Sequence, residues 1–363
     1  MKKQSTFLLL VIALMVMTCG CGSQKGGERT SELPAASALV QETPKKAEIV
    51  MEFAGDMNLD DSWYVMDYLH SHGGEISDCI DPSLIQRMVD ADLCCINNEF
   101  TYSKRGTPMA GKAFTFRGDP ENVSILNTLG VDVVTLANNH IYDYGADAFL
   151  DTLDTLKGAG IDYVGAGRNQ KEAMEPVYYE IDGITIALVN ATRAEKNVMT
   201  PEAGKNTPGV LRCYDTTLFE EEIAEADRNA DVVVCCVHWG TEYSYTLEEV
   251  QRSTARTYID AGADVIVGTH SHCLQGIEYY KDVPVFYSLG NFWFNEKELN
   301  TCLLELTVTG TKEDWKLKPG IVPALQSGCR TRELADGQEV FDLLESISVN
   351  AGIQKDGTVY QKE

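Results

Sequence analysis

The feature that most constrains the fold of this chain is an alternation of short apolar runs with amphipathic stretches, which continues from residue 49 to residue 308. Apolar runs such as 232–237 have the length and the Val-rich composition of buried strands. Stretches such as 146–158 carry apolar residues at helical spacing. Strands that alternate with helices in this way predict an α/β fold.

The individual elements are predicted from the same two periodicities. Strands are expected at 49–54, 93–97, 131–136, 163–164, 184–190, 232–237, 265–268, 283–287 and 301–308. Helices are expected at 83–90, 120–129, 146–158, 219–229 and 247–260. The pattern is weaker beyond residue 310, where 321–326 is a candidate strand and a short helical stretch follows residue 338.

Polar segments that lie at the ends of predicted strands hold the residues with useful chemistry. They are 53–56, 96–99, 136–145, 237–243, 268–272 and 287–292. Open α/β sheets bind ligands at the carboxyl ends of their strands, and carboxylates, amide oxygens and neutral imidazoles are ligands for Zn²⁺, Mn²⁺ or Fe²⁺. Each segment alone is compatible with a turn or a core histidine, but their shared position predicts a metal site.

Four of the six histidines lie in these segments, whereas His70 and His72 are expected to be solvated. The spacing of His270 and His272 lets both rings approach one centre if the backbone turns after the strand. Two metals about 3.5–4 Å apart can bind a phosphoryl oxygen and generate hydroxide near neutral pH. A histidine that is not a metal ligand can protonate a leaving group.

In order and spacing, these segments resemble those of the bacterial capsule-synthesis CapA family, the poly-γ-glutamate capsule proteins, which is a branch of the calcineurin-like metallophosphoesterase superfamily. The matching motifs are Gly55-Asp56, Asn97-x-Glu99, Ala-Asn-Asn-His-x-x-Asp-x-Gly at 137–145, His-Trp-Gly-x-Glu-Tyr at 238–243, Gly-x-His-x-His at 268–272 and Tyr-Ser-Leu-Gly-Asn-Phe at 287–292. The resemblance implies a four-layer α-β-β-α sandwich with one or two divalent ions (Mn, Zn or Fe) at the strand ends.

The resemblance also implies a role for each motif residue. It assigns Asp56 and His272 to one metal, Asn139, His238 and His270 to the other, Glu99 to a bridge between them, and His140 to proton donation. Asp143 would either orient His140 or cap the following helix. The superfamily's usual Asp-x-His opener is Asp56-Met57-Asn58 here, so a one-metal or non-catalytic site is an open alternative.

Other polar residues near the motifs are candidates for substrate binding. Lys112 and Arg117 flank the alternating segment 113–116 and either bind an anionic substrate or form surface ion pairs. The further candidates are Asn58, Asn97, Glu242, Tyr243 and Asn291. Trp239 and Phe292, like Tyr243, either line the pocket or belong to the core.

The N-terminus has the pattern of an export signal. Lys2 and Lys3 precede an apolar run at 7–17, which is shorter than the roughly 20 residues that span a bilayer. Gly20-Cys21 resembles the end of a lipobox, with Cys19 as a competing site and plain secretion as the alternative. We therefore predict a lipoprotein signal at 1–21, a flexible tether at 22–47, a catalytic domain at 48–310 and a C-terminal extension at 311–363, which packs on the domain or is partly disordered.

Charge and cysteine content restrict the partners. With 30 basic and 55 acidic residues the net charge is −25, which argues against nucleic-acid binding and against simple electrostatic capture of a polyglutamate chain. Of the 11 cysteines, two lie in the signal region. Most of the other nine are expected to be small buried hydrophobes, and the absence of a CxxC motif argues against a cysteine zinc site.

Three functions follow from this reading. The first is a membrane-anchored, outward-facing component of poly-γ-glutamate capsule synthesis or export, which cleaves a phosphoester or a γ-linked amide and works with membrane capsule-synthesis proteins. The second is a general exported metallophosphoesterase that acts on a nucleotide, a sugar phosphate or a lipid headgroup. The third is a non-catalytic scaffold with a vestigial metal site.

Overall fold

The computed structural model describes residues 46–195 and 199–363. The predicted signal segment, Cys21 and nearly all of the predicted tether lie outside the described residues. The helices of the described part are α1 (Tyr64–Ser71), α2 (Pro82–Asp90), α3 (Val123–Thr128), α4 (Gly145–Ala159), α5 (Gln170–Ala173), α6 (Thr217–Asn229), α7 (Glu249–Asp260) and α8 (Gln338–Ile347). None of these helices is long and apolar enough to cross a membrane.

The strands form two large sheets and several two-stranded ones. In chain order they are β1 (Ala47–Met57), β2 (Leu93–Asn98), β3 (Thr101–Tyr102), β4 (Arg117–Gly118), β5 (Val133–Thr135), β6 (Asp162–Val164), β7 (Ala166–Gly167), β8 (Val177–Ile181), β9 (Ile184–Thr192), β10 (Gly209–Val210), β11 (Val232–His238), β12 (Val265–Thr269), β13 (Leu274–Tyr280), β14 (Val283–Leu289), β15 (Asn291–Trp293), β16 (Leu299–Thr311), β17 (Asp314–Ser327), β18 (Arg330–Glu333), β19 (Ala351–Ile353) and β20 (Val359–Gln361).

Each large sheet has a parallel centre. The first sheet has the order β18-β17-β16-β1-β2-β5-β6, and β15 pairs with the end of β1. The second has the order β13-β14-β12-β11-β9-β8. Strands β1, β2, β5 and β6 run parallel in the first sheet, and β9, β11, β12 and β14 run parallel in the second. The carboxyl ends of the parallel strands therefore gather at one edge of each sheet.

The two sheets pack face to face over one apolar core. Met51 and Leu304 of the first sheet belong to the same buried cluster as Leu188 and Val234 of the second. Phe341 of α8 joins this cluster as well. Alternate residues of each strand point into this layer, because successive strand side chains face opposite sides of a sheet.

Helices cover the outer face of each sheet. Phe149 and Leu153 of α4, together with Leu84 of α2, lie in the cluster against the first sheet. Phe219 of α6 and Tyr258 of α7 lie in the cluster against the second. The layers are therefore helix, sheet, sheet, helix, which confirms the predicted α-β-β-α sandwich.

The C-terminal residues are part of this architecture. The predicted domain boundary at residue 310 lies inside β16, and β17 pairs with β16 along its whole length from Leu299↔Gln326 to Thr311↔Asp314. The candidate strand at 321–326 is the second half of β17. All nine cysteines of the described residues are free and buried, as expected for small core hydrophobes.

A buried carboxyl on the helix-facing side of β1 gives a pH-dependent prediction. Glu52 lies opposite Glu305 of β16 and is 1% exposed. Burial, followed by the charge of Glu305, raises the pKa of Glu52 from 4.5 to about 8, while Arg87 opposes the shift. The folded state thus holds a proton that the unfolded chain releases above pH 4.5, so stability is lost as the pH rises from 4.5 to 8.

We therefore expect Glu52→Gln to raise Tm at pH 8 and to change it little near pH 4.5. Thermal melts of the variant and the unsubstituted chain at both pH values measure this difference. An equal Tm difference at the two pH values would show that the proton on Glu52 is not responsible.

Candidate metal centre

Acidic and histidine side chains from both sheets meet at the carboxyl ends of the parallel strands. Asp56 lies at the end of β1 and Glu99 directly follows β2. His238 is the last residue of β11, and His270 and His272 follow β12. All five are buried, so the structure brings together the acidic and imidazole ligands that the motifs predict.

These five side chains form two possible ligand groups that share Glu99. In one group Asp56, Glu99 and His272 each place a ligand atom within 4.8 Å of the others, and in the second Glu99, His238 and His270 do the same. Glu99 Oε1 lies 3.6 Å from His238 Nε2 and 3.9 Å from His272 Nε2. His270 and His272 therefore belong to different groups rather than to one centre.

The backbone turn that separates these two histidines is strained. His270 has φ 94° and His272 has φ 54°, which is a left-handed region that residues other than glycine seldom adopt. Such strain persists only where the surrounding structure enforces it, and it is concentrated at functional sites.

Asn139 extends the second group. It follows β5, and its Oδ1 lies 2.7 Å from His238 Nε2. The Asn139 amide oxygen is thus adjacent to the imidazole nitrogen that a metal would take. A group of Glu99, His238, His270 and Asn139 supplies the mixed oxygen and nitrogen donors typical of transition-metal sites.

The site has the chemistry that a divalent cation requires. Glu99 Oε1 and His270 Nδ1 are buried and have no hydrogen-bond partner among the described residues. Burial, followed by the charge of Asp56, raises the pKa of Glu99 well above its usual value. A cation between the carboxylates would give the unpaired atoms ligand bonds and offset their repulsion, so the residues fit a divalent metal.

Two of the three ligand histidines, His238 and His270, are in the form that binds metals. Burial, followed by the neighbouring His270, holds the pKa of His238 well below its ordinary value. Burial and the adjacent His272 lower the pKa of His270 to about 3. Both rings are therefore neutral at physiological pH, and only neutral imidazole offers a lone pair to a metal.

Polar side chains behind the ligands hold them in place. Asn97 Nδ2 donates to Asp56 Oδ1 at 2.7 Å and to Glu99 Oε2 at 3.2 Å. Asn291 Oδ1 lies 2.7 Å from His272 Nδ1. Asn97 and Asn291, which the sequence suggested as substrate contacts, thus lie against the ligands and fix their orientation, as supporting residues do in metal sites.

Thr269 is a further supporting residue that the sequence reading missed. Its Oγ1 lies 2.9 Å from His238 Nδ1, which leaves Nε2 of that ring directed toward Glu99 and Asn139. Its position could have indicated this role, because Thr269 lies between Gly268 and His270 in the motif and is the last residue of β12.

His140 is held beside the ligand groups by a buried carboxylate. Its Nδ1 donates to Asp143 Oδ2 over 2.7 Å, and the Phe116 amide donates to the same oxygen over 2.8 Å. Of the two roles predicted for Asp143, the contact with His140 is therefore present. The alternative role, a cap on the following helix, is not, because no side chain caps α4. The bond at Nδ1 leaves Nε2 of His140 as the nitrogen free to meet a ligand.

Lys112 is buried in this arrangement rather than available to an anionic substrate. Its Nζ lies 2.7 Å from Asp143 Oδ1 and 2.9 Å from Glu195 Oε1, and it also donates to the Asn139 carbonyl. Lys112 therefore neutralises the carboxylate that orients His140. Glu195 lies outside the sequence motifs, so the sequence did not predict its contact with Lys112.

Removal of the Lys112 charge should lower the free energy of unfolding. Lys112→Met leaves Asp143 and Glu195 without their cation, and removing one partner of a buried pair costs about 3 kcal/mol. Urea unfolding of the metal-free chain measures the loss. Lys104→Met is the matched control, because Lys104 pairs with Asp119 at the surface and such pairs contribute little. Equal losses in the two variants would contradict a buried role for Lys112.

The structure places several other residues that were predicted to bind substrate away from the cavity. The Arg117 guanidinium lies 4.3 Å from the centroid of the Tyr144 ring, outside the pocket next to the ligands. Asn58 is buried, and its Oδ1 accepts from the Asp60 amide in the turn after β1. Trp239 and Phe292 are fully buried core residues.

A cavity of about 230 Å³ opens beside the ligand groups. Glu242 and Tyr243 line it, as do two of the site histidines. The lining residues are Trp63, Tyr64, Phe114, Phe116, His140, Glu242, Tyr243, His272, Phe294, Asn295, Glu296 and Lys297. The cavity therefore gives a ligand access to the free side of His140 and to His272.

A close backbone approach positions Asp56. The Asp56 amide donates to the Gly290 carbonyl over 2.9 Å, and a Cβ on Gly55 would overlap that carbonyl. The two strand ends can approach this closely only because residue 55 has no side chain.

Gly55→Ala should therefore destabilise the fold by about 1–3 kcal/mol through overpacking and displace Asp56 from the ligand group. Gly158→Ala is the control, because Gly158 lies in α4 with open space around its Cβ position, so this variant should gain about 0.5–1 kcal/mol. Thermal melts of the two variants should shift in opposite directions. A Gly55→Ala protein with an unchanged Tm would contradict the close approach.

This fold and site define a class. The four-layer sandwich places carboxylate, amide and imidazole donors where the parallel strands of both sheets end, which is the architecture of an α/β protein with a candidate metal centre at its strand ends. Residues 50–296 match the family described as bacterial capsule synthesis protein PGA_cap. The chain belongs to this family.

Individual relatives agree with the family match. The chain is 40% identical over 200 residues to "PGA biosynthesis protein CapA" of Bacillus subtilis (strain 168), a match that covers 55% of this chain and 52% of the relative. It is 39% identical over 196 residues to "Capsule biosynthesis protein CapA" of Bacillus anthracis, which covers 53% and 47%. The chain thus spans about half the length of the curated relatives it matches.

The crystal structure of a novel phosphatase from Mycoplasma pneumoniae aligns with this chain with a TM-score of 0.49 and 13% sequence identity. The alignment covers 78% of this chain and 96% of that one.

Proposed function

We propose that this protein is a metal-dependent phosphoesterase that serves capsule or poly-γ-glutamate synthesis at the outer face of the cell membrane. The observation that carries the proposal is the pair of ligand groups sharing Glu99, with His140, which Asp143 holds, lining the cavity that also reaches His272. Hydrolysis of a phosphoester needs both an activated nucleophile and a proton for the leaving oxygen.

The residues divide this work between them. The two ligand groups would hold divalent cations, which when bound would supply Lewis acidity and an activated water near neutral pH. In its charged form His140 would give its Nε2 proton to the leaving oxygen, while Asp143 accepts from Nδ1–H and stabilises the charge, which burial of the ring disfavours by lowering its pKa. Lys112 pairs with Asp143 and holds it in position.

Family membership supports the capsule role. The two Bacillus relatives are named for PGA and capsule biosynthesis, and residues 50–296 share their family. Lipid attachment at Cys21, with membrane capsule-synthesis proteins as partners, is the arrangement that we propose for the full chain. It would hold the catalytic domain close to the point where a capsule polymer leaves the cell.

A small exported phosphoester is the second candidate substrate, and one observation favours it over the polymer. The net charge is −25, and the exposed Glu242 and Glu296 line the cavity. A polyanionic chain would be repelled by such a surface. The phosphoesterase function therefore does not require the polymer itself as ligand.

A substrate panel tests the proposal. The purified chain, loaded with Mn²⁺ or Zn²⁺, is assayed with p-nitrophenyl phosphate, bis-p-nitrophenyl phosphate and γ-glutamyl-p-nitroanilide. We expect phosphoester hydrolysis that stops with EDTA and returns with added metal. If stoichiometric metal is bound and none of the three compounds is cleaved, the catalytic function is wrong and a scaffold role takes its place.

A further inference from the structure

The cavity beside the ligand groups has an almost continuous aromatic wall. Phe116 contacts His140 with ring centroids 4.5 Å apart, and Phe294 contacts His272 at 4.6 Å. Phe116 and Phe294 meet edge to face at 5.6 Å, and Trp63 packs against Phe116 at 4.8 Å. The aromatic surface therefore begins at the two site histidines and runs outward to the mouth of the cavity.

The inner part of this wall is held in one arrangement. Trp63 Nε1 donates to the Phe294 carbonyl over 2.8 Å, and the Phe294 amide donates to Gln326 Oε1 over 2.9 Å. Phe116 is nearly fully buried, whereas Phe114 is 58% exposed at the mouth. A large aromatic side chain exposed beside a fixed apolar wall has the character of a binding surface rather than of core.

The charges on the cavity wall do not suit an anionic leaving group. Glu242 and Glu296 are exposed there. Apart from the two site histidines, the one cationic side chain among the described lining residues is that of Lys297, whose Nζ lies 3.7 Å from the centroid of the Tyr243 ring. A group that enters this space is therefore matched by aromatic faces and not by cations.

We infer that the group bound in this cavity is a flat, uncharged aromatic ring on the leaving side of a phosphomonoester. This inference rests on the proposed function, and it names the substrate class. The ring lies against Phe114, Phe116 and Trp63, while the phosphoryl group reaches the ligand groups next to His272. A cavity of about 150 Å³ is enough to take up benzene, and this one measures about 230 Å³.

The reaction balances with water as the only co-reactant. The P–O bond to the ring-bearing oxygen breaks with its electron pair going to that oxygen, which takes the His140 proton. The oxygen of a water molecule forms the new bond to phosphorus, and one proton from that water returns to His140. The products are the ring-bearing alcohol or phenol and inorganic phosphate.

Binding of non-hydrolysable phosphonates to the full chain loaded with Zn²⁺ tests the inference without turnover. Phenylphosphonate and methylphosphonate carry the same phosphonate group and differ in the ring. Trp63 reports binding through its fluorescence, because it lines the cavity, whereas Trp239 and Trp293 are fully buried and Trp315 lies in β17 and does not line the cavity. We expect phenylphosphonate to quench this emission and to bind at least tenfold more tightly than methylphosphonate.

Variants locate the preference on the wall. Phe114→Ala should reduce it by about threefold to tenfold, in line with the strength of aromatic pairs, and Phe114→Leu should reduce it less. Tyr360→Ala is the control, because Tyr360 is an exposed aromatic residue of β20 away from the cavity. Equal affinities for the two phosphonates would overturn the inference, as would an unchanged preference in both Phe114 variants or tighter binding of glucose 1-phosphate than of phenyl phosphate.

Failure of the proposed function gives a different result. If the ring preference is present and neither phenyl phosphate nor methyl phosphate is hydrolysed, the catalytic proposal is wrong while the cavity preference holds. If both esters are hydrolysed with equal kcat/KM and both phosphonates bind equally, the enzyme is confirmed and the ring inference is overturned.

Discussion

His140→Ala is expected to reduce kcat for phenyl phosphate by roughly 10²–10⁴-fold, the contribution of a positioned general acid. His140 Nδ1 is held by Asp143, so Nε2 is the nitrogen that delivers the proton to the leaving oxygen. The loss should be smaller for p-nitrophenyl phosphate, because nitrophenolate is a better leaving group and needs protonation less. Steady-state kinetics with the two esters measure both effects.

The controls separate proton donation from damage to the fold. His70 is exposed and lies in α1, away from the site, so His70→Ala should have the activity of the unsubstituted chain. The His140→Ala chain should keep its metal content. Equal losses with the two esters, or metal loss together with activity, would contradict proton donation by His140.

Glu99→Gln is expected to weaken Mn²⁺ or Zn²⁺ binding by roughly 100-fold or more, which exceeds the usual effect of supporting residues. Glu99 belongs to both ligand groups, so one substitution acts on both. Burial and the charge of Asp56 raise the pKa of Glu99, so removal of its carboxylate should also raise Tm of the metal-free chain. Equilibrium dialysis with elemental analysis and melts with and without metal measure the two changes.

Glu222→Gln is the matched control for Glu99→Gln. Glu222 is a buried carboxyl of α6, and neither of its oxygens has a hydrogen-bond partner within the described ranges. Burial raises its pKa as well, so this variant should also melt at a higher temperature, but it should bind metal normally. If both variants bind metal like the unsubstituted chain, Glu99 is not a ligand.

Much of the fold was predictable because local periodicity and tertiary structure agree. The strand at 232–237 is β11 (Val232–His238), and the helix at 219–229 is the core of α6. Strand β17 was seen only in part, because it contains Pro319 and Pro323, which usually argue against a strand. Its pairing explains them, since β18 pairs with β17 from residue 324 onward and both prolines lie before that stretch.

The ligand positions were predictable for a topological reason. Parallel strands end at one edge, so polar residues at the ends of β1, β2, β11 and β12 must gather there. The sequence did not show which cationic side chain would neutralise the Asp143 carboxylate. Lys112 is 27 positions from Asn139 in a loop without periodicity, and only the fold places its amine between Asp143 and Glu195.

The aromatic wall could not be predicted from the sequence for a similar reason. Trp63 and Phe294 are 231 positions apart, yet a hydrogen bond joins them. Sequence reasoning instead considered Trp239 and Phe292 beside the motifs, and these belong to the core. Proximity to a motif in sequence thus predicted ligands at strand ends well and the pocket around them poorly.

Anomalous diffraction from crystals of this protein grown with Mn²⁺ tests directly whether the two ligand groups that share Glu99 bind metal ions. Data collected at the manganese absorption edge place each bound ion without reference to activity. We expect two anomalous peaks about 3.5–4 Å apart, one on each side of the Glu99 carboxylate, with His272 beside one and His238 beside the other. Crystals that contain Mn²⁺ but show no peak next to Glu99 would contradict a metal centre at this site.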